Sequence, residues 1–68
     1  MPVLQLPYMK TDGVLLLFDV DGKEAARIAV QRATSSLMIG KGELAPGIYF
    51  YTLFAGDNVI DRGKVRFD

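Results

Sequence analysis

The pattern that most constrains this fold lies in its last third. Two β-type runs, Ile48 to Phe54 and Val59 to Phe67, flank Ala55-Gly56-Asp57-Asn58, a cluster of turn-forming residues. Side chains on a strand alternate between faces, so Tyr49, Tyr51 and Leu53 share one face of the first run, and Ile48, Phe50, Thr52 and Phe54 share the other. A chain that closes on two such runs folds as a hairpin and needs further strands to cover it.

Those strands are legible upstream. Val3 to Tyr8 alternates, with Leu4, Leu6 and Tyr8 on one face. Pro7 has no amide hydrogen to give a ladder, so this run belongs at an edge or ends there. Thr11-Asp12-Gly13 reads as a turn. Val14 to Val20 is the strongest strand, apolar without a break from Val14 to Phe18. A run without alternation implies burial on both faces, or one face kept for a partner. Asp21-Gly22 suggests a tight hairpin with positive φ at both central residues. Lys23 to Val30 is the return strand, although its alanines also permit a short helix. Gln31 to Ser36 is polar and reads as a loop. Ser36 to Ile39 is a short strand, Gly40-Lys41-Gly42 a bulge or bend, and Leu44-Ala45-Pro46-Gly47 a turn. Short strands at this spacing predict an all-β fold, an antiparallel β-sandwich of six to seven strands or a small barrel.

Size bears on how such a fold is held. A chain of 68 residues is one domain, and at this length only about 60% of the unfolded surface is buried. It has no cysteine to staple it. Small unstapled domains lean on a neighbour or a second copy. A sandwich this small can hardly hide both faces of two strands, so Val14, Leu16, Phe18, Phe50 and Phe54 are candidates for an interface.

Charge and motifs exclude more than they specify. Eight basic and eight acidic residues balance, and only Arg62, Lys64 and Arg66 cluster, so nucleic acid is not expected as a partner. The longest apolar run is too short for membrane insertion. Met1-Pro2-Val3 does not open a signal peptide. Ser35 and Ser36 lack an activating histidine, since the chain contains none, and they read as loop hydroxyls. Asp19, Asp21, Gly22 and Glu24 resemble a fragment of a calcium loop, but Gly22 directly follows Asp21 as a hairpin turn requires. Gly40-Lys41-Gly42 lacks the remaining residues of a phosphate loop. The expectation is a protein that is not an enzyme and has no cofactor or metal.

The order of these pieces resembles a known family. Leu6-Pro7-Tyr8 is followed by Leu15-Leu16-Leu17-Phe18-Asp19-Val20-Asp21-Gly22-Lys23. Then come Leu44-Ala45-Pro46-Gly47-Ile48-Tyr49-Phe50-Tyr51-Thr52-Leu53, Gly56-Asp57 and Lys64-Val65. The whole resembles the C-terminal sorting domain of the type IX secretion system of Bacteroidetes-type bacteria. That resemblance implies an immunoglobulin-like sandwich at the end of a larger exported protein. It implies recognition by the outer-membrane translocation machinery and its shuttle protein, and removal by a sortase-like peptidase. The cargo would pass through the periplasm and end on the outer-membrane surface or be secreted. Carried over by position, Gly47, Tyr49, Lys64, Val65 and Phe67 form the recognition region. Three features depart from the family: no opening strand beginning Pro-Asn-Pro, Gly63 where a basic residue is common, and Asp68 where lysine often stands. A missing first strand implies a vacant edge, and hence a homodimer through an exposed strand. The competing expectation is an immunoglobulin-like accessory or carbohydrate-binding module of an extracellular enzyme, using exposed aromatics such as Tyr8, Phe18 or Phe50.

Overall fold

The computed structural model describes residues 3–40 and 44–68. It is all-β over those residues, with six strands: β1 (Val3–Gln5), β2 (Gly13–Phe18), β3 (Glu24–Val30), β4 (Ser36–Met38), β5 (Gly47–Ala55) and β6 (Asn58–Phe67). They form two antiparallel sheets, a four-stranded sheet in the order β3-β2-β5-β6 and a two-stranded sheet β1-β4. This is the arrangement of strands C′, C, F and G against B and E in an immunoglobulin-type sandwich. The expected all-β sandwich is therefore present. Lys41 and Gly42, expected in a bulge or bend with Gly40, lie outside the described residues.

The core forms where the two sheets meet. The four-stranded sheet contributes Leu15, Leu17, Val30, Tyr49, Leu53, Val65 and Phe67, and the smaller layer contributes Leu4, Met9 and Ile39. Alternation explains the selection. Leu15 and Leu17 are fully buried while Val14, Leu16 and Phe18 are half-buried, so the unbroken apolar run of β2 has one inward and one outward face. The same parity holds in β5 and β6, whose paired residues Tyr49↔Val65, Tyr51↔Gly63 and Leu53↔Asp61 lie on one side.

Two local expectations change. The first strand stops at Gln5, with one further bond from the Leu6 amide to the Ser35 carbonyl at 2.9 Å. Pro7 breaks the ladder, Tyr8 swings out to 79% exposure, and Met9 takes the inward place. The β2–β3 turn is not a two-residue hairpin loop. Gly22 has φ 86° while Asp21 does not have positive φ. The Gly22 amide donates to the Asp19 carbonyl at 3.0 Å and the Asp19 amide to the Lys23 carbonyl at 2.9 Å. This is a longer loop that ends on a glycine in the left-handed region. At residues 23–30 the expected return strand is present, and it prevails over the helix that the alanines permit. Leu15↔Ile28 and Gly13↔Val30 are paired across the β2–β3 ladder. Burial of Val30 beside Leu15 outweighs a weak propensity.

Candidate functional site: the outer face and closing edge of the large sheet

The two faces of the four-stranded sheet differ sharply. The inner face is covered by β1, β4 and Met9. The outer face carries Val14, Leu16 and Phe18 from β2, Ile48, Phe50, Thr52 and Phe54 from β5, and Arg62, Lys64 and Arg66 from β6. Register sets these neighbours: Val14↔Phe54, Leu16↔Thr52 and Phe18↔Phe50 across β2–β5, then Ile48↔Arg66, Phe50↔Lys64 and Thr52↔Arg62 across β5–β6. All five residues expected at an interface thus lie on one surface. Phe50 is 47% and Ile48 43% exposed, while Val14, Leu16, Phe18 and Phe54 are half-buried by one another. Three shallow hollows of about 430, 340 and 310 Å³ lie along it, the first between Phe50, Thr52, Arg62 and Lys64.

β6 closes the sheet. It is ten residues long and pairs only with β5 among the described residues, so its other side offers backbone donors and acceptors. Arg62, Lys64 and Arg66 project outward at alternate positions. Arg66 reaches Asp68 at 3.4 Å, a pair exposed on both sides and worth little. Among the described residues, Arg62 and Lys64 make no ion pair. On the opposite edge of the sheet, Arg27 is bonded to Glu24 at 3.1 Å.

The residues that the family resemblance marks for recognition divide by this geometry. Lys64 is exposed. Tyr49, Val65 and Phe67 are core, at 6%, 8% and 2% exposure. The Tyr49 ring meets the Phe67 ring edge-on, with centroids 5.3 Å apart and planes at 89°. Its hydroxyl donates to the Ala45 carbonyl at 2.7 Å. A tyrosine near the start of strand F that bonds back to the chain just upstream is the tyrosine corner of immunoglobulin-type sandwiches. Gly47, half-buried two residues earlier, has φ 145°. A Cβ there would meet nothing within 4 Å, so backbone conformation rather than space accounts for the glycine. Gly47, Tyr49, Val65 and Phe67 hold β5 and β6 in place, and the surface left open is the backbone edge of β6 with its cations. Tyr49→Phe should cost about 1 kcal/mol by urea denaturation. A change near zero would remove the corner from the account of the fold.

No protein-family model, curated protein or solved structure matches this chain.

Gly63 and Tyr51 escape sequence reasoning. A Cβ on Gly63 would lie 2.6–2.8 Å from the Tyr51 hydroxyl and ring. The aromatic ring covers the glycine across the β5–β6 ladder, an arrangement that shields a glycine in an edge strand. The glycine that departs from the family's basic pattern is therefore matched to its cross-strand partner. The Tyr51 hydroxyl donates to Asp61 Oδ2 over a long 3.4 Å. Burial first, and then the Asp61 carboxylate, raise the Tyr51 phenol above its ordinary pKa of 10.0. The folded state therefore holds this proton more tightly than the unfolded chain. Its stabilising contribution is complete below about pH 10 and is lost as pH rises through the folded value. Melting midpoints of the protein and of Tyr51→Phe, followed from about pH 9 to 11.5, should show a steeper alkaline fall in the parent. Parallel curves would remove Tyr51 as the source.

The acidic cluster at the β2–β3 turn has a structural role. Asp19 Oδ1 accepts the amides of Asp21 at 2.9 Å and Lys23 at 3.0 Å. Among the described residues, no group of three or more His, Cys, Asp or Glu side chains is placed to hold a metal ion. No helix among them is long and apolar enough to cross a membrane.

Proposed function

We propose that this domain is a sorting signal of the type IX kind, read in its folded form at the end of an exported cargo protein. The observation that carries the proposal is the closing strand. β6 presents ten residues of open backbone edge, held rigid because Val65 and Phe67 are locked in the core. Strand addition to such an edge gives affinity through main-chain hydrogen bonds, and the alternating side chains give register. The outer-membrane shuttle protein would engage this edge, and a sortase-like peptidase would act afterwards. The cargo would move from the periplasm to the outer-membrane surface or beyond.

The test is a reporter carrying an export signal, with residues 1–68 fused behind it. The fusion should reach the surface of a cell with a working type IX system and stay in the periplasm of the same strain without it. Retention in both strains would overturn the proposal. Removing residues 64–68 is a poor probe, because it also takes Val65 and Phe67 from the core.

A further inference from the structure

We infer that the strand that docks on β6 is acidic: an extended segment of a partner protein with Asp or Glu at alternate positions and apolar residues between. The inference rests on reading β6 as the docked edge and adds the chemistry of what docks there.

Parity is the first ground. Arg62, Lys64 and Arg66 fall at alternate positions of β6 and all project from the outer face, beside Thr52, Phe50 and Ile48 of β5. The intervening Gly63 and Val65 face the core side. A strand laid antiparallel along the free edge sets its own alternate residues directly opposite these cations, where opposite charges attract and like charges repel. Its other residues fall beside Gly63 and Val65, next to the apolar layer. The docked segment therefore needs carboxylates at every second position and aliphatic side chains between them.

The second ground is what the same row excludes. Cations on an edge strand are a known guard against edge-to-edge pairing. Two copies of β6 paired antiparallel, with their core faces on the same side, must align residues whose numbers sum to an even value. In every such register that overlaps the two rows of cations, with sums from 124 to 132, at least one cation of one copy lies opposite a cation of the other. Those registers stack like charges, so a homodimer that overlaps the rows is disfavoured. Among the described residues the acids offer no matching row. Asp12, Asp19, Asp21 and Asp57 sit in loops and turns, Glu24 is the one acid on β3 and is bonded to Arg27, Asp61 has the opposite parity to the cations, and Asp68 follows β6 beside Arg66. The acidic strand is therefore assigned to a partner protein.

Two peptides of about nine residues test this, one alternating valine with glutamate and the other valine with lysine. Each is titrated into isotope-labelled domain, with binding read from amide shifts. The glutamate peptide should bind at least about tenfold more tightly than the lysine peptide, since three cross-strand pairs change sign. Its shifts should concentrate on residues 58–67, and its affinity should fall as salt rises. In Arg62→Glu/Lys64→Glu/Arg66→Glu, whose altered side chains are all exposed, the preference should reverse while the melting curve stays cooperative. Equal affinity for the two peptides, no binding of either, shifts centred on β3 or β1, or a dimer through β6 in the free domain would each overturn the inference. The same triple variant fused to the exported reporter separates this inference from the sorting proposal. Surface delivery at the parent level overturns the acidic strand and leaves sorting intact. Selective peptide binding with no delivery of the parent fusion supports the acidic strand and overturns sorting.

Discussion

Phe67→Ala should abolish most of the domain's stability. The ring is 2% exposed and packs edge-on to Tyr49. Truncating a buried phenylalanine costs about 3–5 kcal/mol, as apolar contact is lost and a cavity is left. A domain of this length has about 3–10 kcal/mol in total. Urea denaturation should show a midpoint near zero denaturant or a chain with no cooperative transition. Phe67→Leu keeps most of the volume and loses the ring contact, worth about 1 kcal/mol, so it should remain folded. If Phe67→Ala loses less than 1 kcal/mol, the strand is not held by this side chain and the rigid-edge account of β6 fails. The consequence reaches function. Under the sorting proposal, a variant that loses Phe67 and fails to deliver cargo reports unfolding, whereas one altered at the exposed Lys64 tests recognition.

Gly13→Ala should be nearly as damaging, for a different reason. Gly13 is the first residue of β2, paired with Val30. A Cβ there would overlap the Phe54 carbonyl oxygen and lie 2.5 Å from Met9 Cε. A methionine side chain can move, but a strand carbonyl in the next ladder cannot without breaking pairing. Overpacking of this kind costs about 1–3 kcal/mol, and a backbone collision belongs at the upper end. The melting temperature should fall by about 10–20 °C in a domain of this size. Truncating Met9 as well should not rescue it, because the harder contact remains. An unchanged melting temperature in Gly13→Ala would mean that the approach of β2 to β5 is looser than described.

These residues also show where sequence reading succeeds and where it stops. The two central strands of the large sheet, β2 and β5, were legible because their apolar runs are long and bounded by Asp, Gly and Pro. Parity alone separated the two faces of β5, and packing against the smaller sheet decides which is buried. The outward face of β2 was legible only as an alternative, since an unbroken run from Val14 to Phe18 has no polar residue to mark it. What was not legible depends on a partner distant in sequence. Met9 enters the core because Pro7 breaks the alternation before it. Gly13 reads as the tail of a turn, and only the Phe54 carbonyl shows why it has no side chain. Gly63 is explained by Tyr51, twelve positions away in sequence. Tyr49 was legible as sharing a face with Tyr51 and Leu53, but its bond to Ala45 required the chain path into β5. The five candidate interface residues were drawn from two strands, and β2–β5 register brings them onto one surface.

The position of Phe67 along the chain also sets an order of events. Leu15, Leu17 and Leu53 are completely buried, and the cluster that buries them includes Val65 and Phe67 of β6. A chain emerging from its amino end carries an incomplete core until β6 has emerged. Local pairing of β2 with β3 can form early, while the pairing of β5 with β6 and closure over Phe67 come last. During that interval the open flank of β5 and the unfinished core are exposed to proteases and to other unfinished chains. Holding factors that bind extended apolar segments have their opportunity in the same interval, and it ends when the last aromatic ring seats against Tyr49.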